Sequence, residues 1–193
     1  MTSNQTISEA IATLEILDIL AIDKAGILLV FAGLKPTALV VLESDIWANG
    51  ETEKQIDQKV WLNLQFILDR LAIKYATHTN SMGAQKRMRI MNVYIAKETT
   101  LVREVALAHR HGDERLLGEL FGYPPTSVQA FLDDDCIDPL ELPESTTAVT
   151  SEDMKFLNHR LSKKNWENEI SYLPTYAAQV RQLSPAIYAR RLL

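Results

Sequence analysis

Cysteine is almost missing from this chain of 193 residues, since Cys136 is the only one. A single thiol cannot form an intramolecular disulfide, and it cannot supply the cysteine ligands of a zinc cluster. Three aspartates precede Cys136, and nearby negative charge raises a thiol pKa, which argues against a nucleophilic cysteine. We therefore expect no disulfide framework, no metal site and no cofactor.

Long hydrophobic runs are also missing. The longest apolar run, GILLVFAGL, is far shorter than the roughly 20 residues that span a bilayer. The first residues, MTSNQTISEAIATLEILDILAIDKAG, lack the basic start and uninterrupted apolar stretch of a signal peptide. These absences predict a cytoplasmic protein with no membrane partner.

Familiar catalytic motifs are absent as well: the sequence has no G-x-S-x-G, no H-E-x-x-H, no G-x-G-x-x-G and no calcium loop. No nucleophile, base and orienting group can be assembled from residues close in sequence. This favours a non-catalytic binding or protein-interaction module, with an unknown protein partner or a small anionic ligand, and with a homodimer as one option. Catalytic groups commonly meet only in the fold, so a small hydrolase or transferase acting on an anionic substrate is the alternative.

Charge is present but unevenly placed. The formal net charge is −5, yet residues 74–110 carry seven bases against two acids, and residues 116–156 carry nine acids against one base. Mutual neutralisation on the folded surface is the simplest interpretation. Nucleic-acid binding through the basic segment 74–110 is a second alternative, which ranks last because the whole chain is acidic.

Hydrophobic periodicity predicts the secondary structure of the first part. Apolar residues at helical spacing predict a helix over 7–24 that Gly26 ends, and GILLVFAGLKPTALVVLE predicts a β-hairpin. A second helix follows in 52–75, and KYATHT and RMRIMNVYIAK predict a second hairpin. A third helix, TTLVREVALAHRH, ends near Gly112.

The fold class that follows is α+β. Residues 1–112 are predicted to form a domain of order α-β-β-α-β-β-α, with an antiparallel sheet of about four strands and helices on one face. Residues 113–193 are predicted to form a mainly helical region packed on that domain. Its helical segments are DERLLGELFG, PTSVQAFLDD, SEDMKFLNHRLSK and TYAAQVRQLSPAIYARRLL.

Residues 115–135, RLLGELFGYPPTSVQAFLDDD, predict two short helices that meet at a corner like that of a helix-turn-helix. Gly122 allows a left-handed turn, and Thr126 or Ser127 is expected to cap the second helix after Pro124. We expect Tyr123 to pack at the junction of the two parts.

The negative charge of the second helix argues against a corner that reads DNA. A recognition helix offers cations to phosphates, whereas this second helix ends in Asp133, Asp134 and Asp135. We therefore expect a structural corner or a protein-contact surface, and we regard DNA as an unlikely partner.

The same stretch resembles the signature of an uncharacterised prokaryotic family, in which Leu-Gly-Tyr-Pro precedes a pair of cysteines, a valine and an aromatic residue. Thr126 and Ser127 stand where the cysteines would be, so no thiol-based role carries over. The resemblance covers about a third of the chain and implies no established activity. The matching positions are Gly122, Tyr123, Pro124, Val128 and Phe131, with Phe121 in place of the leucine.

Three histidines are the candidate catalytic residues: His78, His109 and His111. Positions two apart on a helix point about 200° away from each other, so His109 and His111 converge only if the helix ends between them. A helix C-terminus also favours histidine through its dipole, which is the simpler interpretation.

The loop THTNSMGAQKRMR supplies candidate anion-binding residues, Lys86, Arg87 and Arg89. A solvated hairpin turn explains the same residues without a ligand. The enzyme alternative requires His78, Arg87 and either His109 or His111 to line one cleft.

Overall fold

A computed structural model describes residues 3–45, 57–82, 88–138, 141–142 and 149–192. Over these residues the fold is α+β, as the sequence predicts. In chain order the elements are α1 (Ser3–Ile16), α2 (Ala21–Ala32), β1 (Thr37–Asp45), α3 (Gln58–Arg70), β2 (Lys74–Met82), β3 (Met88–Ala96), α4 (Thr99–His111), α5 (Glu114–Leu120), α6 (Pro125–Leu132), β4 (Cys136–Ile137), α7 (Ser151–Met154), β5 (Leu161–Ser162), α8 (Trp166–Glu169), α9 (Leu173–Leu183) and α10 (Pro185–Leu192).

The larger sheet has three antiparallel strands in the order β1-β3-β2, so β3 lies in the middle. Val93 of β3 pairs with Val40 on one side and with Thr77 on the other. The predicted hairpin of β2 and β3 is therefore confirmed. A separate pair, β4 and β5, is antiparallel and only two residues long.

The predicted first hairpin is wrong, because its first half is the helix α2. A continuous apolar run does not distinguish a buried helix from a buried strand, since neither period is visible in it. The 12 residues of α2 bury their apolar side chains in the core, and Gly33 ends the helix in the left-handed conformation at φ 76°. Only the second half of the predicted hairpin, β1, is a strand.

The predicted helix over 7–24 is in fact two helices, since α1 ends at Ile16 and α2 begins at Ala21. Gly26 does not end a helix but lies inside α2. An ideal Cβ at Gly26 would lie 3.4 Å from the Ala38 Cβ, which is ordinary van der Waals contact, so α2 packs directly on β1 here.

Helices cover both faces of the sheet, whereas the sequence predicts helices on one face. On one face, Val40 and Val93 join the main core with side chains of α1, α2, α3 and α9. On the other face, Tyr94 packs with Val105 and Ala108 of α4 and with Leu120 of α5. Alternate residues of a strand point to opposite faces, so both faces of β3 are buried.

The C-terminal part is mainly helical, but SEDMKFLNHRLSK is not one helix. Within it, α7 stops at Met154, and the chain then reaches the short strand β5. Residues of α9 and α10, such as Val180 and Ile187, belong to the same hydrophobic core as Leu28 of α2. The core is therefore shared by residues from both sides of Gly112.

Candidate functional site

The structure places His109 and His78 on one face of the sheet. Tyr94 is fully buried, and its hydroxyl lies 2.5 Å from His109 Nδ1. Asn92 points to the same face two residues earlier on β3, and His78 of β2 pairs directly with Asn92. Burial raises the pKa of Tyr94, and the Asn92 side chain and Arg110 oppose that shift.

Among the other residues of the enzyme hypothesis, only His111 has its side chain in the described part of the chain. His111 is exposed at the end of α4, next to Gly112, which takes the left-handed conformation. Lys86 and Arg87 lie outside the described residues. Arg89 pairs with Ser44 and Ser81 in the sheet, and its side chain also lies outside the described part. The shared cleft therefore stays a prediction.

The corner at 115–135 is formed by α5 and α6. Gly122 adopts φ 74°, and an ideal Cβ there would lie 2.8 Å from the Pro36 Cδ, so the turn requires glycine for two reasons. The amide of Tyr123 donates to the Gly118 carbonyl, which closes the C-terminus of α5.

The predicted cap of the second helix is wrong. The N-cap residue of α6 is Pro124, and no side chain caps the helix. Pro125 occupies the first turn, where its missing N–H costs nothing. The helix therefore starts before Thr126 and Ser127, which lie inside its first turn.

An open cavity of about 310 Å³ lies at this corner. Its walls are mostly apolar and include Leu117 from α5 together with Val128 and Phe131 from α6. Phe131 is 42% exposed and lies under the Arg160 guanidinium, 5.8 Å from the ring centroid. The cavity is therefore an apolar recess whose lining includes two charged residues, Glu114 and Arg160.

Four further lining residues are aromatic or polar: Phe121, Tyr123, Ser127 and His159. Tyr123 stacks on His159 with 4.9 Å between ring centroids, and it contacts the Phe121 ring at 5.7 Å. Tyr123 thus lies between the corner and the segment after α7, both of which belong to residues 113–193. Its expected place at the junction of the two parts stays a prediction.

His159 is held in a neutral state by its surroundings. The pKa of His159 is lowered to about 4, mainly because of burial; Glu169 opposes this shift and Lys35 adds to it. The Tyr172 hydroxyl lies 3.1 Å from His159 Nδ1, whereas the buried Nε2 has no hydrogen-bond partner among the described residues.

The tyrosines around His159 stay protonated at neutral pH. Burial raises the pKa of Tyr123 to about 12 and also raises the pKa of Tyr172 and of Tyr176. The Tyr176 hydroxyl donates to the Leu34 carbonyl at 3.0 Å, which ties α9 to the turn after α2. The cluster therefore offers neutral hydrogen-bonding groups.

Lys35 is buried behind Tyr123. It is 5% exposed, its Nζ lies 5.5 Å from the Tyr123 ring centroid, and burial lowers its pKa to about 8. A lysine that carries less charge at neutral pH than usual is a frequent feature of binding and catalytic sites. Lys35 is not among the residues that line the cavity.

Glu169 is the buried carboxylate next to this cluster, with 2% exposure. It accepts hydrogen bonds from the Ser162 amide at 2.7 Å and the Ser162 hydroxyl at 2.6 Å. Burial alone would raise the pKa of Glu169, but the hydrogen bonds from Ser162 and the nearby hydroxyls of Thr126 and Ser127 lower it overall. Glu169 is therefore a negative charge beside the first turn of α6.

Sequence reasoning missed His159 and Lys35. His159 lies in a segment whose periodicity predicts a plain helix, and nothing near it in sequence indicates a site. Lys35 carries a detectable signal, because it is the only charged residue between Lys24 and Glu43. A lone charge in an apolar stretch is either exposed at a turn or buried with a role.

Across the described ranges, no three metal-ligating side chains converge, and no helix combines the length and apolarity that a bilayer crossing requires. In comparisons with known proteins, no family model, no curated protein and no solved structure matches this chain. The resemblance at the corner motif therefore stays a prediction.

Proposed function

We propose that this protein is a non-catalytic binding module whose site is the cavity at the corner of α5 and α6. One observation carries the proposal, namely an open recess of about 310 Å³ with mostly apolar walls and a few polar groups. Small-molecule sites in proteins usually have about 300 to 1,000 Å³ and this kind of lining. The cavity has the size for one small ligand or for one side chain of a partner.

The apolar side chains around the cavity support a binding site rather than a cavity without a binding role. Phe131, Leu116 and Leu132 are large apolar side chains of α5 and α6 that stay more than a third exposed. An exposed apolar side chain at a cavity wall gains contacts when a ligand covers it, because its surface leaves water. The corner therefore presents apolar surface that a ligand or a protein partner would bury.

Toluene is a suitable first probe, because it has only apolar surface. Two-dimensional amide NMR of the full chain should show saturable shifts at Gly118 and Val128, which line the cavity. Phe131→Ala should weaken toluene binding by at least about threefold, since it removes one aromatic wall.

Leu132→Ala is the matched control, because Leu132 is the exposed neighbour on α6 and does not line the cavity. It should leave the toluene affinity unchanged. Shifts that do not saturate, or that map away from the corner, would contradict the proposal.

A further inference from the structure

The outer edge of strand β2 is open in the described part of the chain. β2 is an edge strand of the larger sheet and has 9 residues, Lys74–Met82. Thr77, Thr79 and Asn80 on this strand are exposed, and no described residue outside the sheet accepts a hydrogen bond from a β2 amide. An edge strand with unpaired N–H and C=O groups is a template for pairing with a further strand.

The opposite edge of the sheet, β1, is partly covered. The Val41 amide donates to the Asp23 carboxylate of α2 at 3.3 Å, and the Thr37 hydroxyl donates to the Leu120 carbonyl of α5. Proteins commonly protect an exposed edge with charges, prolines or bulges. β2 has no proline and pairs with β3 without a bulge, and its only lysine, arginine or acidic residue is Lys74 at its start. Of these two edges, β2 is therefore the one that is open to a partner strand.

The hydrogen bond of the Val41 amide shows which groups of β2 point outward. Because Val41 donates to a carboxylate of α2, its amide points away from β3, so Val41 and its pair residue Asn92 do not exchange hydrogen bonds. Hydrogen-bonded pairs alternate in an antiparallel ladder, so Asn92 bonds on its other side to β2, where its pair residue is His78. The amides and carbonyls of Thr77 and Thr79 therefore point to the open edge.

This edge is complementary to a second copy of itself. When two β2 strands pair antiparallel about a two-fold axis at His78, Thr77 of each copy lies opposite Thr79 of the other in a hydrogen-bonded pair. Threonine pairs across strands stabilise a sheet, and the two Lys74 side chains lie at opposite ends of the joined strands. All of β2 is paired in this register, and no like charges face each other.

Apolar surface accompanies the open edge. The Trp61 ring of α3 packs edge-on against the Tyr75 ring of β2, with 5.7 Å between centroids. On the same helix Leu62 is 56% exposed and Phe66 is 38% exposed. The two-fold axis places both α3 helices on the same face of the joined sheet, so these side chains of one copy approach those of the other. Dimerisation thus removes apolar surface from water in addition to pairing the strands.

We propose that two copies of this protein form a symmetric dimer through their β2 edges. The two strands pair antiparallel, centred on His78, and join the two three-stranded sheets into one continuous sheet. The corner cavity is formed by other elements, so this proposal does not depend on the binding function proposed above.

Amide hydrogen exchange, followed by NMR on the full chain at low and high protein concentration, tests the pairing without any substitution. In the dimer the amides of Thr77 and Thr79 are bonded to the second copy, so their exchange should slow by at least about tenfold as the concentration rises. The amide of His78 is the internal control, because it bonds to β3 in the monomer as well and should change less.

Cysteine cross-linking tests the register. Residues opposite each other in a non-hydrogen-bonded antiparallel pair have Cα atoms about 4.5 Å apart, which is within the range of a disulfide. In a Cys136→Ser background, His78→Cys should therefore form a disulfide-linked dimer on mild oxidation, seen on a non-reducing gel. Ala76→Cys is the matched control, because it lies on the same face of β2 but opposite Asn80 of the second copy. It should cross-link much less.

Sedimentation velocity measures the dimer directly. Thr77→Lys/Thr79→Lys places like charges opposite each other across the two-fold axis, so it should raise the dissociation constant at least about tenfold. Thr175→Lys is the matched control, because Thr175 is exposed on α9, and it should leave the dissociation constant unchanged.

Several outcomes would overturn the proposed dimer. A chain that stays monomeric up to about 1 mM does not pair through β2. A dimer in which Thr77 and Thr79 exchange as fast as in the monomer, or in which Ala76→Cys cross-links as readily as His78→Cys, uses a different surface or register. If Thr77 and Thr79 become protected only when another protein is added, β2 pairs with that protein and not with a second copy. None of these results bears on ligand binding at the corner.

Discussion

At the scale of single residues, burial at the corner shifts the pKa of two basic side chains downward. His159 has its pKa lowered to about 4 and Lys35 to about 8, in both cases mainly because burial disfavours the charged state. Tyr123 covers Lys35 and stacks on His159, so one phenol ring connects the two. The protonation of these buried residues is therefore coupled to folding.

His159 should make folding stability depend on pH in a defined window. Its pKa in the folded state is about 4, below the ordinary 6.5, so the unfolded chain binds the proton more readily. Stability is therefore lost as pH falls from about 6.5 through about 4, by up to about 3 kcal/mol. Urea unfolding of the wild type and of His159→Gln at several pH values measures this difference.

Carboxylates also titrate in that window, so the comparison needs a control. His111→Gln removes a histidine that is exposed at the end of α4, and it should keep the pH dependence of the wild type. If His159→Gln loses stability with falling pH as steeply as the wild type does, the buried neutral histidine is not the cause.

At the scale of elements, the corner depends on how closely α5 and α6 approach each other. An ideal Cβ at Gly118 would lie 2.6 Å from the Val128 Cγ2, which is closer than real side chains come. Gly118 is thus needed for the packing of two helices, and not for an unusual backbone angle. The same two residues line the cavity, so this packing also shapes the proposed site.

Gly118→Ala should destabilise the protein by about 1–3 kcal/mol, because overpacking forces the two helices apart. The clash should exceed the gain of up to about 1 kcal/mol that alanine brings to a helix. Chemical unfolding followed by circular dichroism measures the effect.

A double-mutant cycle with Val128→Ala tests the cause, since truncating Val128 removes the clashing methyl group. The double variant should be more stable than the sum of the two single effects predicts, by about 0.5–3 kcal/mol. Strict additivity would show that the contact between the two positions is not what Gly118 serves.

At the scale of the whole molecule, the residues before and after Gly112 are connected by hydrogen bonds and by a shared hydrophobic core. The Thr37 hydroxyl donates to the Leu120 carbonyl at 2.7 Å, and the Ser184 hydroxyl donates to Glu15 Oε1 at 2.6 Å. The main hydrophobic core contains residues from both sides. A shared core predicts that the two parts unfold together, because neither buries its apolar surface alone.

Two single-tryptophan variants test this cooperativity. Trp61 reports on α3, and Trp166 reports on α8 in the C-terminal part. The variant Trp47→Phe/Trp166→Phe keeps only Trp61, and the variant Trp47→Phe/Trp61→Phe keeps only Trp166. In each variant we expect the midpoint of the fluorescence transition to equal the midpoint of the circular dichroism transition. A fluorescence transition that separates from the circular dichroism transition in either variant would show that residues 1–112 and 113–193 fold as independent domains.

The sequence by itself determined the elements whose signals are local. The alternating strands of the β2–β3 hairpin and the helical periods of α3 and α4 are patterns that neighbouring residues create, and the α+β class follows from them. The turns at Gly112 and Gly122 are also local, because glycine adopts positive φ at little cost. These features can be read without knowing what packs against them.

Only the tertiary structure decided the rest. Most of the run GILLVFAGL lies in the helix α2, with Ile27 to Val30 buried in the core, and an evenly apolar run carries no period that distinguishes helix from strand. The proposed site depends on Tyr123 and His159, which are far apart in sequence and come together only in the fold. Burial sets their protonation states and leaves Ser127 and His159 with unpaired atoms, and burial is a property of packing rather than of any short segment.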